Sequence, residues 1–174
     1  MTRAVLSLGS NLGDRYGYLR DAVAGLGDAA VVVSGVYETP PWPPGEEAPP
    51  YLNAAVLVAD AGADPYHWLA LAHDLERAAG RARAAGHRYA ARTLDIDVIM
   101  AWDDADQPVI CDDPELILPH PRAHLRAFVL RPWVDIQPYA ELPGHGRLTD
   151  LLRRDPVAHD LAAVSPRPEL ALES

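Results

Sequence analysis

The order of the apolar segments is the feature that most constrains how this chain folds. Residue patterns predict strands over 3–9, 30–38, 51–59 and 92–100, and helices over 15–26 and from Pro65 to near Gly80. The order strand, helix, strand, strand, helix, strand is the split β-α-β motif of ferredoxin-like folds. It predicts an α+β fold, a βαββαβ sandwich with a mostly antiparallel sheet, helices on one face and the other face available for a site.

The remaining length extends this unit rather than adding a second one. The chain has 174 residues, which suits one domain with a sizeable core. A strand is expected at Val109–Ile110, and short additional helices are predicted over 129–136 and 148–154, so we assign residues 1–154 to a single domain. Residues 155–174 contain three prolines and little apolar pattern, which predicts a poorly packed C-terminal tail.

Two long loops interrupt the predicted elements. Residues 39–50, the proline loop, hold six of the 17 prolines, and proline cannot continue a strand or helix interior. Residues 81–92, the arginine loop, contain Arg81, Arg83, Arg88 and Arg92. Loops of this length are often functional. Trp42, inside the proline loop, is either a packed anchor or part of a lid.

A shorter turn follows the first strand. Gly9-Ser10-Asn11-Leu12-Gly13-Asp14 reads as a turn and a helix start, with Asn11 or Asp14 as the N-cap. Glycines after a strand also occur in phosphate loops, but the dinucleotide fingerprint does not fit and the P-loop lysine is missing.

Composition excludes several classes of function. The net charge of −10 and the sequence pI of about 5.0 argue against a general nucleic-acid or membrane-surface binder, which normally shows a basic face. One cysteine leaves no intrachain disulfide, and the N-terminal apolar run is too short for a signal peptide, so a cytoplasmic protein is expected. All 15 basic residues are arginine, so phosphate chemistry would have to use arginine, metal, histidine and backbone amides.

The last predicted strand carries two carboxylates. Asp95 and Asp97 alternate with Leu94, Ile96 and Val98, so both acids point to one face. Buried acids this close repel each other, and Mg²⁺ is the usual partner because it binds carboxylates together with substrate phosphates. A solvent-facing strand edge would show the same pattern.

The arginine loop changes the balance between these interpretations. Guanidinium groups bind phosphate oxygens bidentately and keep their charge at neutral pH. Such a loop alone is often a solvated surface. Next to the Asp-x-Asp strand, it favours a site for Mg²⁺ and a polyphosphate, because metal and arginine together neutralise the phosphate charge.

Aromatic and amide side chains indicate a second ligand. Tyr51 and Asn53 are two apart on a strand and share a face, and Phe128 is the only phenylalanine of the chain. Tyr51 and Phe128 could enclose a flat heterocycle whose edge the Asn53 amide recognises. The alternative is that Phe128 fills the core and Asn53 caps a turn.

Several separated motifs in the same order resemble a known family, the 6-hydroxymethyl-7,8-dihydropterin pyrophosphokinases of folate biosynthesis. The resemblance covers about residues 3–154. It rests on the stretches Gly9–Asp14, Tyr37–Pro41, Tyr51–Ala55, Arg88–Ile99 and Leu118–Phe128. It implies a ferredoxin-like fold, transfer of the diphosphate of ATP to the hydroxymethyl oxygen of the pterin, and release of AMP.

The resemblance also implies a role for each matching residue. Catalytic residues would be Arg81, Arg92, Asp95 and Asp97, with Asp95 and Asp97 holding two Mg²⁺ ions. ATP would be bound by Leu69, His73, Glu76, Arg83, Tyr89, His120 and Arg126. The pterin would be bound by Thr39, Pro40, Trp42, Tyr51, Asn53 and Phe128. The expected state is a monomer with ATP and the pterin as its partners and no nucleic acid or membrane.

Two alternatives remain open at the level of sequence. One is another Mg²⁺-dependent phosphotransferase or phosphohydrolase, which would release ADP or phosphate rather than AMP. The other is a non-catalytic ferredoxin-like module that binds a small ligand, which would not need Asp95, Asp97 and Arg92 together.

Overall fold

The structure, a computed structural model, describes residues 1–45, 47–80 and 92–173. The strands are β1 Thr2–Ser10, β2 Ala30–Val33, β3 Tyr37–Thr39, β4 Tyr51–Asp60, β5 Asp95–Trp102, β6 Cys111–Asp112, β7 Ile117–Leu118, β8 Glu141–Leu142, β9 Gly146–Arg147 and β10 Ser165–Pro166. The helices are α1 Arg15–Leu26, α2 Pro65–Ala78, α3 Ala127–Ile136, α4 Leu148–Leu151 and α5 Val157–Leu161. Across these residues, no helix has the length and apolar character needed to cross a membrane.

Both long helices of the motif begin where the sequence predicts. The Asp14 carboxylate accepts a hydrogen bond from the Gly17 amide at 3.0 Å and caps α1. Asp64 caps α2 by accepting from the His67 amide at 2.8 Å, and Pro65 occupies the first helical position. Asp14 rather than Asn11 is therefore the cap of α1, which leaves Asn11 with a different role.

The sheet has the strand order that defines the predicted fold. β1 lies between β4 and β5, β4 pairs on its other side with β2 and β3, and all of these pairs are antiparallel. With β2 and β3 counted as the second strand of the motif, the spatial order is 2-3-1-4. The ferredoxin-like arrangement is therefore confirmed.

The two faces of the sheet are covered differently. Even-numbered strand residues such as Leu6 and Leu8 pack against α1 and α2, whose Leu19, Trp68 and Ala72 are fully buried. On the opposite face, Val5, Ala55 and Leu57 pack against α3 and the C-terminal segments in a second core. The second face is therefore only partly available, because helices after β5 cover the end of the sheet away from Gly9 and Asp95.

The predicted strand over 30–38 is two strands in the structure. Ser34 interrupts it: its hydroxyl accepts from the Ala55 amide at 2.8 Å, and its backbone amide donates to the Ala55 carbonyl at 2.9 Å. A side chain thus replaces a backbone acceptor, and the chain shifts before β3 begins at Tyr37. Because Tyr37 then pairs with Asn53 and Thr39 with Tyr51, this shift sets the edge of the later site.

The C-terminal part differs most from expectation. The predicted strand at Val109–Ile110 is displaced to β6, which forms a hairpin with β7. The expectation of a poorly packed tail is wrong for the described residues after 154, because they form α5 and β10. Strand β10 pairs with β3, and Val157 and Leu172 are buried against the two cores. Long-range apolar contacts order a segment that has no clear local pattern.

Candidate active site

A cavity of about 250 Å³ opens at one end of the sheet, on the face that carries α3. Odd-numbered residues of β1, β4 and β5 form its floor, because side chains two apart on a strand share a face. Pairing places Gly9 beside both Asn53 and Asp95, and Ser7 beside Asp97. The lining residues are Ser7, Gly9, Thr39, Pro40, Trp42, Tyr51, Asn53, Arg92, Asp95, Asp97, His120, Pro121, Arg122, Arg126 and Phe128.

The acidic half of the cavity is built from the first residues of β5. The Asp95 carboxylate forms an ion pair with the Arg92 guanidinium at 2.9 Å. Asp97 lies 3.5 Å from Arg126 and 4.0 Å from His120 Nε2. Each acid therefore faces a cationic or donor group, while both remain accessible from the cavity.

The protonation of Asp97 reflects this environment. Burial and the nearby Asp95 carboxylate raise the pKa of Asp97 to about 7, although Arg126 and Arg92 act in the opposite direction. One third of the side-chain surface still faces the cavity, so a ligand can reach it. Burial is the larger cause and the like charge of Asp95 adds to it, so added positive charge would favour the ionised form of Asp97.

These acids fit a hard divalent cation that also binds a ligand. In the described part of the chain, no three His, Cys, Asp or Glu side chains converge as a complete metal cage. Mg²⁺ suits this incomplete donor set, because it is commonly held by one or two carboxylates and fills its other positions with water and phosphate oxygens. Such a cation would stabilise the ionised form of Asp97, which burial and the Asp95 carboxylate disfavour.

His120 is held as a neutral hydrogen-bonding group. Its backbone amide donates to the Ile99 carbonyl at 2.8 Å, and its Nδ1 accepts from the Arg122 amide at 3.1 Å. Burial, Arg126 and Arg122 lower the pKa of His120 to about 4. Because Nδ1 is an acceptor, the proton of the neutral ring lies on Nε2, which faces Asp97.

The other half of the cavity is aromatic. The Trp42 and Phe128 ring centroids lie 6.5 Å apart, and the Arg126 guanidinium carbon lies 4.8 Å from the Trp42 ring and 5.5 Å from the Phe128 ring. Arg126 thus joins the acidic and aromatic halves, since it contacts Asp97 at the same time. Trp42 is packed against the site in this conformation, as expected for an anchor.

Asn53 provides a fixed polar edge beside the aromatic rings. It is buried, and its Nδ2 donates to the Thr39 hydroxyl at 2.6 Å, which fixes the orientation of the amide. Glycine is required below it: a Cβ at Gly9 would lie 2.9 Å from Asn53 Oδ1 and 3.3 Å from the Tyr51 ring. The Asn53 amide therefore presents a fixed polar edge in the same cavity as the Tyr51 and Phe128 rings.

The structure brings most residues of the predicted site into this cavity. They are Thr39, Pro40, Trp42, Tyr51, Asn53, Arg92, Asp95, Asp97, His120, Arg126 and Phe128. Leu69, His73 and Glu76 are not among its lining residues: they lie on α2, where Glu76 is buried and accepts from the Ile96 amide at 2.9 Å. Arg81, Arg83 and Tyr89 fall outside the described residues.

Four lining residues were not among the predicted site residues. Ser7 and Gly9 could have been found from strand parity, because β1 must run beside the Asp-x-Asp strand in a ferredoxin-like sheet. Pro121 and Arg122 directly follow His120, and their residue types alone gave no separate signal.

The fold and this cavity define a class of protein, a ferredoxin-like α+β protein with carboxylate, arginine and aromatic side chains gathered at one end of its sheet. Comparison with known families gives the particular one. A model of the family described as 7,8-dihydro-6-hydroxymethylpterin-pyrophosphokinase matches residues 5–138, and the chain belongs to that family.

Curated relatives support the assignment over most of the chain. A Mycobacterium leprae 2-amino-4-hydroxy-6-hydroxymethyldihydropteridine pyrophosphokinase is 51% identical over 152 residues, covering 84% of this chain and 78% of the relative. The protein of that name from Mycobacterium tuberculosis strain H37Rv is 47% identical over 146 residues, covering 82% and 76%. That from Bacillus subtilis is 36% identical over 151 residues, covering 84% and 85%.

Solved structures show the same fold at low sequence identity. A crystal structure of wild-type Plasmodium falciparum HPPK-DHPS matches with a TM-score of 0.61 and 13% identity, covering 95% of this chain and 49% of that chain. A crystal structure of HPPK-DHPS in complex with substrates matches with a TM-score of 0.62 and 13% identity, covering 87% and 43%. This chain therefore spans less than half the length of those proteins.

Proposed function

We propose that this cavity is the active site at which the chain, a pyrophosphokinase, transfers the diphosphate of ATP to 6-hydroxymethyl-7,8-dihydropterin and releases AMP in folate biosynthesis. The main observation in support of this proposal is that Asp95 and Asp97 line the same cavity as Asn53 and Phe128. A polyphosphate requires charge neutralisation, and a pterin requires aromatic faces and a polar edge. Adjacent halves of one cavity meet these two requirements.

Asp95 and Asp97 would hold the Mg²⁺ that this family uses with ATP. Two ions are proposed, because two carboxylates leave most positions around each cation open to phosphate oxygens and water. When bound, the ions offset phosphate charge and align the β-phosphorus for attack. The raised pKa of Asp97 is consistent with this placement, because burial and the Asp95 carboxylate both disfavour its ionised form and a bound cation would favour it.

Arg92, His120 and Arg126 would contact the phosphates from three directions. Arg92 and Arg126 each reach one of the acids, so their guanidinium groups border the position that metal-bound phosphates would take. His120 is neutral and carries its proton on Nε2, which makes it a donor to an anionic oxygen without adding charge.

The aromatic half would bind the pterin. Tyr51 and Phe128 are proposed to stack on its ring, and Trp42 and Pro40 would close the side formed by the proline loop. Asn53, oriented by Thr39, would recognise the polar edge of the heterocycle. This arrangement would direct the hydroxymethyl group toward Asp95 and Asp97.

The reaction follows as an in-line displacement. The hydroxymethyl oxygen forms a bond to the β-phosphorus of ATP, and the bond from that phosphorus to the oxygen bridging the α-phosphate breaks. AMP leaves with the bonding electron pair, and the hydroxyl proton is lost. The described side chains act by positioning the two substrates and neutralising charge, which can supply most of the acceleration in phosphoryl transfer.

Six further residues complete the proposal. Arg81 would stabilise the transferring group, and Arg83 and Tyr89 would contact ATP. Leu69, His73 and Glu76 are proposed to border the nucleotide from α2, which packs directly on β5. Glu76 is close enough to Asp97 to raise its pKa, which supports a location near the acids.

The chain is further proposed to act as a monomer in the cytoplasm, with residues 1–154 carrying the activity. All described lining residues of the cavity lie before residue 129, which supports the assignment of the activity to residues 1–154. The use of ATP as a substrate supports a cytoplasmic location. Size-exclusion chromatography with light scattering at micromolar protein tests the monomer.

Incubation of the purified chain with MgATP and 6-hydroxymethyl-7,8-dihydropterin tests the activity. Equimolar AMP and pterin diphosphate are expected, resolved by anion-exchange chromatography, with no AMP when either the pterin or Mg²⁺ is omitted. Asp97→Asn, which preserves shape and removes the charge, is expected to abolish release of AMP. Release of ADP or inorganic phosphate instead would identify a different phosphotransferase or hydrolase.

A further inference from the structure

Both long loops re-enter the sheet beside the end of one strand. β1 is central, and its last residues pair with the first residues of β4 and β5: Ser10 with Leu52, and Gly9 with Asp95. The next residue, Asn11, therefore lies between the end of the proline loop and the end of the arginine loop. We propose that Asn11 is a positioning residue that holds the pterin-side and phosphate-side edges of the active site in register.

Asn11 holds both polar backbone groups of Arg92. Its backbone amide donates to the Arg92 carbonyl at 3.0 Å, and its side-chain Oδ1 accepts from the Arg92 amide at 2.7 Å. The Arg92 side chain then reaches Asp95 at 2.9 Å. Loss of the side-chain acceptor would remove one of the two bonds from Asn11 to the Arg92 backbone, so the guanidinium would be less well fixed relative to the acids.

The same amide group holds the proline loop. Asn11 Nδ2 donates to the Pro49 carbonyl at 3.1 Å, two residues before Tyr51 begins β4. Arg15 adds a bond from its guanidinium to the neighbouring Pro50 carbonyl at 3.0 Å and pairs with Glu38 at 2.8 Å. The position of Tyr51 and Asn53 thus depends on Asn11 and Arg15 together.

An amide suits this position because it offers one acceptor and donors on a single rigid plane. Asn11 is only 2% exposed, so water cannot replace either partner without opening the junction. Since α1 is capped by Asp14, the side chain of Asn11 is not needed to start the helix. Its acceptor and donor can therefore be removed separately by substitution.

The inference rests on the proposed pyrophosphokinase activity and is tested with four variants of the full chain. Asn11→Ala removes both side-chain bonds, and Asn11→Asp keeps the acceptor for Arg92 and loses the donor to Pro49. Arg15→Ala removes the bond to Pro50 and the ion pair with Glu38, and it leaves the bonds to Arg92 in place. The fourth, Arg92→Ala, serves as a background for Asn11→Ala. For each, kcat, the KM for pterin and the KM for MgATP are measured from release of AMP.

Asn11→Ala is expected to lower kcat and raise the pterin KM, each by about fivefold to thirtyfold, the range for one or two kcal/mol of lost hydrogen bonding. Asn11→Asp should restore kcat to within about threefold of the original chain while the pterin KM stays raised. Arg15→Ala should raise the pterin KM alone. In the Arg92→Ala background, Asn11→Ala should lower kcat by less than about twofold, because its effect passes through Arg92.

Three results would overturn the inference. They are an unchanged kcat in Asn11→Ala, an equal loss of kcat in Asn11→Asp, or full additivity with Arg92→Ala. If Asn11→Ala does not fold, the kcat of Asn11→Asp still tests the phosphate-side edge, and the pterin KM values of Asn11→Asp and Arg15→Ala still test the pterin-side edge. If the original chain releases no AMP, the proposed function fails separately, and hydrogen exchange of the Arg92 amide decides: it should accelerate in Asn11→Ala and stay slow in Asn11→Asp.

Discussion

Arg92 Nη1 lies 2.9 Å from Asp95 Oδ2, at the point where β5 begins. Both side chains are mostly covered, at 22% and 23% exposure, so solvent screens this pair less than a surface ion pair. The Arg92 guanidinium is therefore already next to Asp95, one of the two acids, before any substrate binds. Under the proposed function, the same guanidinium would bind phosphate oxygens and Asp95 would hold the metal.

This relationship predicts a specific kinetic effect for Arg92→Ala. Removing one preorganised donor to a developing negative charge typically lowers kcat by about 100-fold. ATP affinity should fall by much less, because the other phosphate contacts remain. Single-turnover rates and equilibrium binding of MgATP separate the two quantities, with Arg20→Ala as an exposed arginine control. Equal losses in the single-turnover rate and in MgATP affinity would show that Arg92 contributes to ATP binding and not to the chemical step.

The pKa values of Asp97 and His120 predict opposite effects of pH on stability. Asp97 keeps its proton up to about pH 7 in the folded protein but releases it near pH 3.8 when unfolded, so its contribution to stability falls as pH rises between these values. His120 has a pKa of about 4 when folded and 6.5 when unfolded, so its contribution rises with pH over that window. The two contributions offset each other in the metal-free protein.

Single substitutions should separate these two contributions. Asp97→Asn leaves the His120 effect, so the free energy of unfolding should rise with pH from about 4 to 6.5. His120→Gln leaves the Asp97 effect, so stability should fall with pH up to about 7. Urea unfolding across this range in chelator measures both. Parallel pH profiles for the two variants would contradict the assigned protonation states.

Much of this site could be predicted from the sequence, because side chains alternate between the two faces of a strand. Asp95 and Asp97 alternate with apolar residues on one strand, and Tyr51 and Asn53 are two apart on another, so the sequence alone predicts which side chains share a face. The strand order then placed both pairs beside β1. Local rules were also sufficient for helix starts, because Asp14 and Asp64 cap their helices through contacts only three residues away.

Features set by distant contacts could not be predicted in this way. Ser34 divides a strand because its hydroxyl meets the Ala55 amide, 21 residues later in the chain. Asn11 matches a helix cap locally, yet its side-chain partners are Pro49 and Arg92. The residues after 154 lack periodicity because they fill gaps beside existing cores instead of forming an amphipathic face.

Gly9 gives a prediction about the pterin side alone. An Ala Cβ there would approach Asn53 Oδ1 to 2.9 Å and the Tyr51 ring to 3.3 Å, so both side chains must shift. We expect Gly9→Ala to raise the pterin KM by about tenfold or more, since displacements near 1 Å have large effects on substrate positioning. Binding of MgATP should remain within about twofold, because the phosphate side is left in place.

Gly62→Ala is the matched control for that substitution. Its added Cβ would lie 3.7 Å from the Asp60 carboxylate, an ordinary contact in an exposed turn. It should leave both KM values and the thermal midpoint unchanged. If Gly9→Ala retained the original pterin KM with an unchanged fold, the proposed pterin position beside Tyr51 and Asn53 would be incorrect.

The last prediction concerns the ordered tail. Deletion of residues 155–174 removes β10 from the edge of β3 and the Arg167 ion pair with Glu38 at 3.2 Å. It also exposes the surfaces against which Val157 and Leu172 are buried. Losing two buried aliphatic side chains should lower the free energy of unfolding by about 3 kcal/mol or more.

The deletion should also weaken pterin binding, because β3 carries Thr39, whose hydroxyl fixes the Asn53 amide. A truncated chain is expected to unfold at lower urea concentration and to show a raised pterin KM with little change for MgATP. Leu172→Ala tests the packing alone, with Glu173→Ala as its exposed neighbour. If the truncated chain kept the stability of the full chain, the packing of α5 and β10 would contribute nothing to the fold, contrary to the burial of Val157 and Leu172.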